Sequence, residues 1–232
     1  MALRAREERT FANIISDGTI RVKAQEGDPL AVRRDIKLPD GTEMTKFERV
    51  YHELSGFIHY ISFKEGDYGK QLIIAIKDGD FNINLSMSMQ SNYAEDLLKK
   101  LPNVDVNKEI VLSPYSFEDD KKKLRRGVTV MQDGEKLKSY FHDEKNNPIN
   151  GFVEFEKDWK TYDKEDWKMH FIKTRKFLQQ FTEEKIIPLL DFKNDDTQFE
   201  PAPDENDIKL ENVEFVEPAA PVETVPSQEK MV

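Results

Sequence analysis

Alternation of apolar and polar residues is the dominant signal in the middle of this chain. Residues 70–77 (KQLIIAIK) put Leu72, Ile74 and Ile76 on one side. Residues 81–88 (FNINLSMS) alternate without a break: Phe81, Ile83, Leu85 and Met87 face one way, and Asn82, Asn84, Ser86 and Ser88 the other. Both read as strands, joined by a tight turn at Asp78-Gly79-Asp80. Before them, residues 51–64 read as one long strand, and Gly56 inside it marks a bulge or sharp bend. Gly66-Asp67-Tyr68-Gly69 makes the next turn. The period then changes. Residues 92–101 predict a short helix with Tyr93, Leu97, Leu98 and Leu101 on one side, stopped by Pro102. Residues 109–117 return to a strand, whose far half Pro114 demotes to an edge or bulge. A charged loop over 119–123 leads to a last strand at 124–132, continued by 136–141 around Asp133-Gly134.

The flanks are less regular. Residues 11–15 and 19–24 surround Asp17-Gly18, a short hairpin signal, and residues 30–37 and 44–52 surround Pro39-Asp40-Gly41. These short, polar pieces predict an N-terminal β-rich extension, residues 1–50, lying on the main domain. On the other side, 152–156 reads as one more strand, and Asp163 to Ile187 as a long helix with Asp163 as N-cap and Pro188 as its stop. Trp167, Phe171, Thr174, Leu178 and Phe181 trace one face of it. That face is expected to pack on the main domain and to leave part of the stripe for self-association into a homo-oligomer.

Strand, strand, strand, helix, strand, strand is the element order of the OB-fold, a five-stranded Greek-key barrel. The expected fold class is therefore mainly β with accessory helices. It comprises a five-stranded OB-fold-like barrel over residues 51–141, a loop and long helix over 142–190, and a tail over 191–232.

Charge separates that tail from the rest. Of the chain's 45 acidic and 35 basic residues, 12 and 3 fall in residues 191–232, so a nearly neutral body precedes a strip with net charge −9. The strip has five prolines and almost no apolar clustering, which predicts disorder. The absence of Cys removes disulfides, Cys-ligated zinc and thiol nucleophiles. The first nine residues lack the apolar stretch of a signal peptide, and no run approaches the ~18 apolar residues of a membrane span. The expectation is a cytoplasmic protein without membrane contact.

Nothing in the chain points to catalysis or a cofactor. The four histidines, His52, His59, His142 and His170, form no metal-binding spacing, and no nucleophile-elbow or phosphate-loop motif is present. The acid pairs Asp119-Asp120 and Asp195-Asp196 sit in charged segments and read as solvated loop charge rather than a Mg²⁺ site. What does stand out is Lys121, Lys122, Lys123, Arg125 and Arg126, on the loop that clamps oligonucleotides in OB proteins. The ordinary alternative is a solvated hairpin partly compensated by Glu118, Asp119 and Asp120. Lys64, Lys70 and Lys77 flank the polar face carrying Asn82 and Asn84, and Tyr60, Tyr68, Tyr115 and Phe117 are the aromatics nearest to it. Lysine and arginine would hold phosphates there and aromatic rings would stack bases. For Tyr60 and Phe117 a core role is an equally good reading.

Three stretches carry a family resemblance: Asp67-Tyr68-Gly69-Lys70-Gln71 leading into LIIAIKDG, the segment YAEDLLKKLPN from Tyr93 to Asn103, and EIVLSPYSF. With the acidic tail after an OB-like body, they resemble single-stranded DNA-binding proteins of tailed bacteriophages. The resemblance spans roughly residues 10–190. It implies a protein that coats single-stranded DNA without sequence preference during phage DNA replication or recombination, in the host cytoplasm. It also implies a tail that competes with DNA or recruits replication and recombination proteins. The alternative is a non-enzymatic protein–protein adaptor or phage structural module on a similar barrel, which the near-zero body charge favours.

Overall fold

In the computed structural model, residues 9–37, 41–66 and 69–190 are described. They hold ten strands and two principal helices: β1 (Arg9–Ile14), β2 (Ile20–Lys23), β3 (Val32–Lys37), β4 (Glu43–Tyr51), β5 (Leu54–Gly66), β6 (Gly69–Asp78), β7 (Phe81–Ser88), α1 (Asn92–Lys100), β8 (Ile110–Glu118), β9 (Leu124–Gln132), β10 (Glu135–Lys136) and α2 (Lys164–Phe181). The strands form one sheet in the order β10-β9-β8-β5-β6-β7-β1-β2-β4-β3. Every pairing is antiparallel except β1 with β7. The fold is mainly β, as expected. The tail, residues 191–232, lies outside the described residues, as does Tyr68.

The apolar alternation sets the buried side. Leu72, Ile74 and Ile76 of β6 and Leu85 and Met87 of β7 are buried, together with Ile58 and Ile61 of β5. α1 lays Tyr93, Ala94, Leu97 and Leu98 on this side, with Ser91 as its N-cap accepting from the Ala94 N–H. Ile110, Leu112, Val128 and Val130 complete the same core from β8 and β9. Phe81, at the mouth of its strand, is exposed rather than facing the core with Leu85.

β5 serves two neighbours. Leu54 to Gly56 pair with β8, and Phe57 to Gly66 pair with β6. Gly56 stands at the changeover with φ +141°, and a Cβ there would lie 2.7 Å from the Lys77 carbonyl oxygen. The backbone crosses too closely for any side chain, which is why the mid-strand residue is glycine. A bulge follows between Ile58 and Tyr60.

The expected closed five-stranded barrel does not form; the sheet is open. Closure would require β7 to pair with β9. Instead β1 takes the free edge of β7, with Arg9 opposite Asn82 and Asn13 opposite Ser86. The facing edge of β9 is satisfied by a helix. Val128 lies opposite Pro114, which has no N–H to give, and its own N–H and C=O turn away from β8. Asp96 Oδ2 accepts the Val128 N–H at 2.7 Å, and Lys100 Nζ donates to the Val128 carbonyl at 2.6 Å. Asp96 and Lys100 are themselves paired at 2.7 Å, so one helical turn of α1 stands where a strand would have been. The gap is also covered by the β1–β2 turn: a Cβ on Gly18 would lie 2.5 Å from the Ser116 amide nitrogen.

Residues 9–51 thus continue the same sheet as four strands, β1 to β4. Two further expectations are corrected. Beyond β9 only Glu135 and Lys136 are strand, because Tyr140 turns to donate its N–H to the Lys99 carbonyl. Residues 152–156 form no strand; Phe152 is buried against Phe141, ring centroids 5.3 Å apart. α2 begins as expected, with Asp163 and Asp166 making a reciprocal capping box. It rests Thr174 and Leu178 in the core, and Phe177 and Phe181 against Phe141. It ends at Phe181, followed by a π turn at Thr182–Ile186 and a 3₁₀ turn at Ile187–Leu189 containing Pro188. No described helix is long and apolar enough to cross a membrane.

Candidate functional site

Residues directly opposite each other in a ladder share a face, so the registers fix what stands on the outer, non-core side of the sheet. Phe57, Lys77, Asn82 and Arg9 form one row across β5, β6, β7 and β1. Tyr60, Ala75, Asn84 and Phe11 form the next, and Ser62, Ile73, Ser86, Asn13 and Arg21 a third that reaches β2. Lys64, Gln71 and Ser88 make a fourth. Further out, Lys23 stands beside Glu48 and Arg34 beside Lys46. Among the described residues of these rows the one carboxylate is Glu48. Arg34 grips it with two hydrogen bonds, at 2.8 and 2.9 Å, and Arg21 approaches it at 3.4 Å. The rows therefore present seven cations, Arg9, Arg21, Lys23, Arg34, Lys46, Lys64 and Lys77, around a strip of aromatic and small polar residues.

Two predicted contacts are withdrawn into this layer. Asn82 and Asn84 are only 4% and 2% exposed, because β1 turns β7 into an interior strand and tall neighbours close over it. Asn84 Oδ1 accepts from the Tyr60 hydroxyl at 3.0 Å, so Tyr60 is a half-buried, anchored ring rather than a loose platform. Burial holds its phenol above the ordinary value. Burial also pushes the Lys64 ammonium below its ordinary value. Lys70 leaves the group altogether: it lies on the opposite side of β6 from Lys77 and donates to Gln179 of α2 at 3.1 Å while facing Glu65 at 3.3 Å.

The second half of the candidate site lies on β8 and β9. Ser55 of β5 continues the outer side through Val111 to Met131 and Lys136. Ser113 with Thr129, Tyr115 with Gly127, and Phe117 with Arg125 follow on the same side. Tyr115 and Phe117 sit 5.7 Å apart, tilted by 37°, over an open depression of about 540 Å³ that Asp119, Arg125, Thr129 and Lys136 complete. Gly127 is needed here, since a Cβ would lie 2.4 Å from the Tyr115 hydroxyl. Phe117 is 54% exposed. Burial, with Asp96 nearby, raises the Tyr115 phenol.

The basic cluster does not act as one patch. Arg125 stands beside Phe117, whereas Arg126 is opposite Ser116 on the other side of the sheet, near Tyr93. Asp119 is the organiser of the hairpin. It accepts the N–H groups of Lys121 and Lys123, both at 2.9 Å, and the Arg125 guanidinium at 2.8 Å. The backbone bond from Lys123 leads the contacts that hold its carboxyl below the usual range. Lys121 and Lys122 are exposed at the turn, with Lys122 in the left-handed region at φ 56°.

The outer side is thus assembled from Tyr60, Lys64, Lys77, Tyr115, Phe117 and Arg125 of the predicted set, joined by Lys121, Lys122 and Lys123 at the rim. Arg9, Phe11, Arg21, Lys23, Phe57 and Lys136 were missed. Their only signal is the parity of their positions, which becomes useful once the β1–β7 register is known. Among the described residues, no group of three His, Asp or Glu side chains converges as a metal site would require. Comparison with known proteins yields no matching family model, no similar curated protein and no similar solved structure.

Proposed function

We propose that this protein binds single-stranded DNA without sequence preference along the outer side of its sheet. The observation that carries the reading is the set of ladder rows. They align cations from six strands beside Phe11, Phe57 and Tyr60, and continue past the Gly56 bend to Tyr115, Phe117 and Arg125. A strand laid on this side meets phosphate partners at the margins and aromatic faces between them, the combination that holds bases regardless of identity. Gln71 and Ser86 offer bonds to bases or sugars that fix no sequence. The resemblance noted in the sequence adds a setting, the coating of single strands in phage replication or recombination in the cytoplasm, with the acidic tail as competitor or partner hook.

The test is the affinity for a labelled oligo-dT over a salt series. Four to six phosphate contacts give a log–log slope of roughly −3 to −4. A flat response, or no binding at low salt, overturns the reading.

A protein–protein adaptor is the second reading, favoured by the near-neutral body and by carboxylates that already engage cations, Glu48 with Arg21 and Arg34 and Asp119 with Arg125. It predicts no dependence of oligo-dT affinity on Lys64 or Lys77. The DNA reading predicts that replacing either by alanine lowers the salt slope by about one.

A further inference from the structure

β3 ends the sheet, with β4 on one side and no described strand on the other. In an antiparallel ladder each residue sends its N–H and C=O to the same neighbour, and successive residues alternate neighbours. The Ala24 N–H donates to the Phe47 carbonyl at 2.8 Å, so Phe47 faces β2, and Met44, Lys46 and Glu48 face β3. Their partners Ile36, Arg34 and Val32 therefore bond to β4. The backbone groups of Arg33, Asp35 and Lys37 point to the open edge.

We infer that this edge pairs with β3 of a second copy of the chain, antiparallel about a two-fold axis at Arg34, so that Arg33 of each copy lies opposite Asp35 of the other. The hydrogen-bonding alternation leaves few registers. Centring the pair on Asp35 puts two carboxylates together and Arg33 against Lys37. Centring it on Arg33 puts two Arg33 guanidiniums together. Centring it on Arg34 gives two Arg33–Asp35 pairs and two Val32–Ile36 pairs, each favourable across strands. The Arg34 residues that then meet are each already neutralised by their own Glu48, at 2.8 Å. Val32 is 50% exposed in the single chain and gains an apolar neighbour.

Charged side chains ordinarily keep an edge strand solitary. Here they alternate in sign, Arg33 then Asp35, so the same charges that repel the two neighbouring registers favour this one. A two-fold axis relating antiparallel neighbours is perpendicular to the sheet. The outer sides of both copies therefore face the same way, and the cationic side runs from one copy into the next. The inference does not depend on what that side binds.

The experiment is the mass of the full chain by sedimentation equilibrium, without nucleic acid, over a concentration series reaching roughly 100 µM, the range in which a weak contact is populated. The mass should rise from one chain toward two. Asp35→Pro deletes an outward N–H without touching the backbone bonds to β4, and should abolish association while leaving the circular dichroism spectrum unchanged. Arg33→Asp and Asp35→Arg alone should each weaken association about tenfold or more, and the double swap should restore it to within about threefold of the original. The swap keeps the intrachain Arg33–Asp35 contact but loses the Thr45 bond to Asp35, as Asp35→Arg alone does, so rescue cannot come from that bond. A single-chain mass at every concentration overturns the inference. So does wild-type association by Asp35→Pro, or a double swap no better than the single variants.

Discussion

Asn84 and Phe117 separate two jobs that look alike in the sequence. Asn84 is buried and accepts the Tyr60 hydroxyl, so Asn84→Ala removes that buried bond and should cost about 1–3 kcal/mol of stability, read by denaturant unfolding. Phe117 is largely exposed, so Phe117→Ala should leave stability within about 0.5 kcal/mol and weaken oligo-dT binding by about 1–3 kcal/mol. If both variants lose stability and neither loses binding, the outer side is structural only. Alternation alone correctly put Asn84 and Lys77 on the non-core side. It could not tell that Asn84 would be covered, because the covering residues Phe11 and Tyr60 arrive from strands distant in the chain. A second residue-scale consequence concerns His142. Its Nδ1 lies 3.0 Å from Ser139 Oγ, and burial, then Lys99, lowers its pKa to about 4. The unfolded chain titrates this group near its ordinary ~6.5. Stability is therefore full above pH 6.5 and falls as pH drops toward 4, where the native state must accept the proton. Thermal melts between pH 7.5 and 4.5 should show wild type losing about 1–2 kcal/mol more than His142→Gln, less than the full shift implies because the half-exposed ring is partly screened by solvent. Equal losses would mean that His142 is not held neutral.

At the scale of elements, the decisive choice is what satisfies the edge of β9. Asp96 takes the Val128 N–H and pairs with Lys100, which takes the Val128 carbonyl. Asp96→Ala leaves a nearly buried ammonium without its carboxylate and a backbone donor without an acceptor. The expected cost is about 2–3 kcal/mol, below the fully buried range because Asp96 keeps some solvent contact. Lys100→Met, which removes the charge along with its partner's need for it, should cost less. A denaturant series on both variants checks the order. The order of strands and helices from β5 to β9 was legible in the sequence because each element carries its own period, and Gly56 and Pro114 mark real changes of neighbour. Barrel closure was not legible. It depends on a parallel pairing between strands some 70 positions apart, Arg9 with Asn82, and on two polar residues of α1 that read as ordinary surface charges. The long helix was legible in its start, where the Asp163–Asp166 box is local, and less so in its end, where the π turn is imposed by packing of Thr182 and Ile186. Likewise the polar pieces before β5 were recognisable as extended but not as members of the same sheet, since their partners lie in β7 and in each other.

For the whole molecule, charge is the organising quantity. The tail, residues 191–232, carries 12 acidic and 3 basic residues, while the cations Arg9, Arg21, Lys23, Lys64 and Lys77 share one side of the body. A polyanion on the same chain acts at an effective concentration of order millimolar on any site within its reach. If the outer side binds DNA, the two polyanions compete, and removing residues 192–232 should tighten oligo-dT binding. The sign of the salt dependence identifies the mechanism. Screening shortens the reach of exposed charges to about 8 Å at physiological ionic strength, so the gain on truncation should be largest at low salt and fade as salt rises. A tail that only aids solubility predicts equal affinities for the two forms at every salt concentration, with more aggregation of the shorter one. A tail that recruits a partner also predicts equal affinities, but it should leave a binding partner dependent on residues 192–232. Measuring affinity for both forms at low and high salt, beside their unfolding curves, separates competition from the other two: equal affinities at low salt remove it, and a gain that persists unscreened at high salt would point to steric rather than electrostatic occlusion.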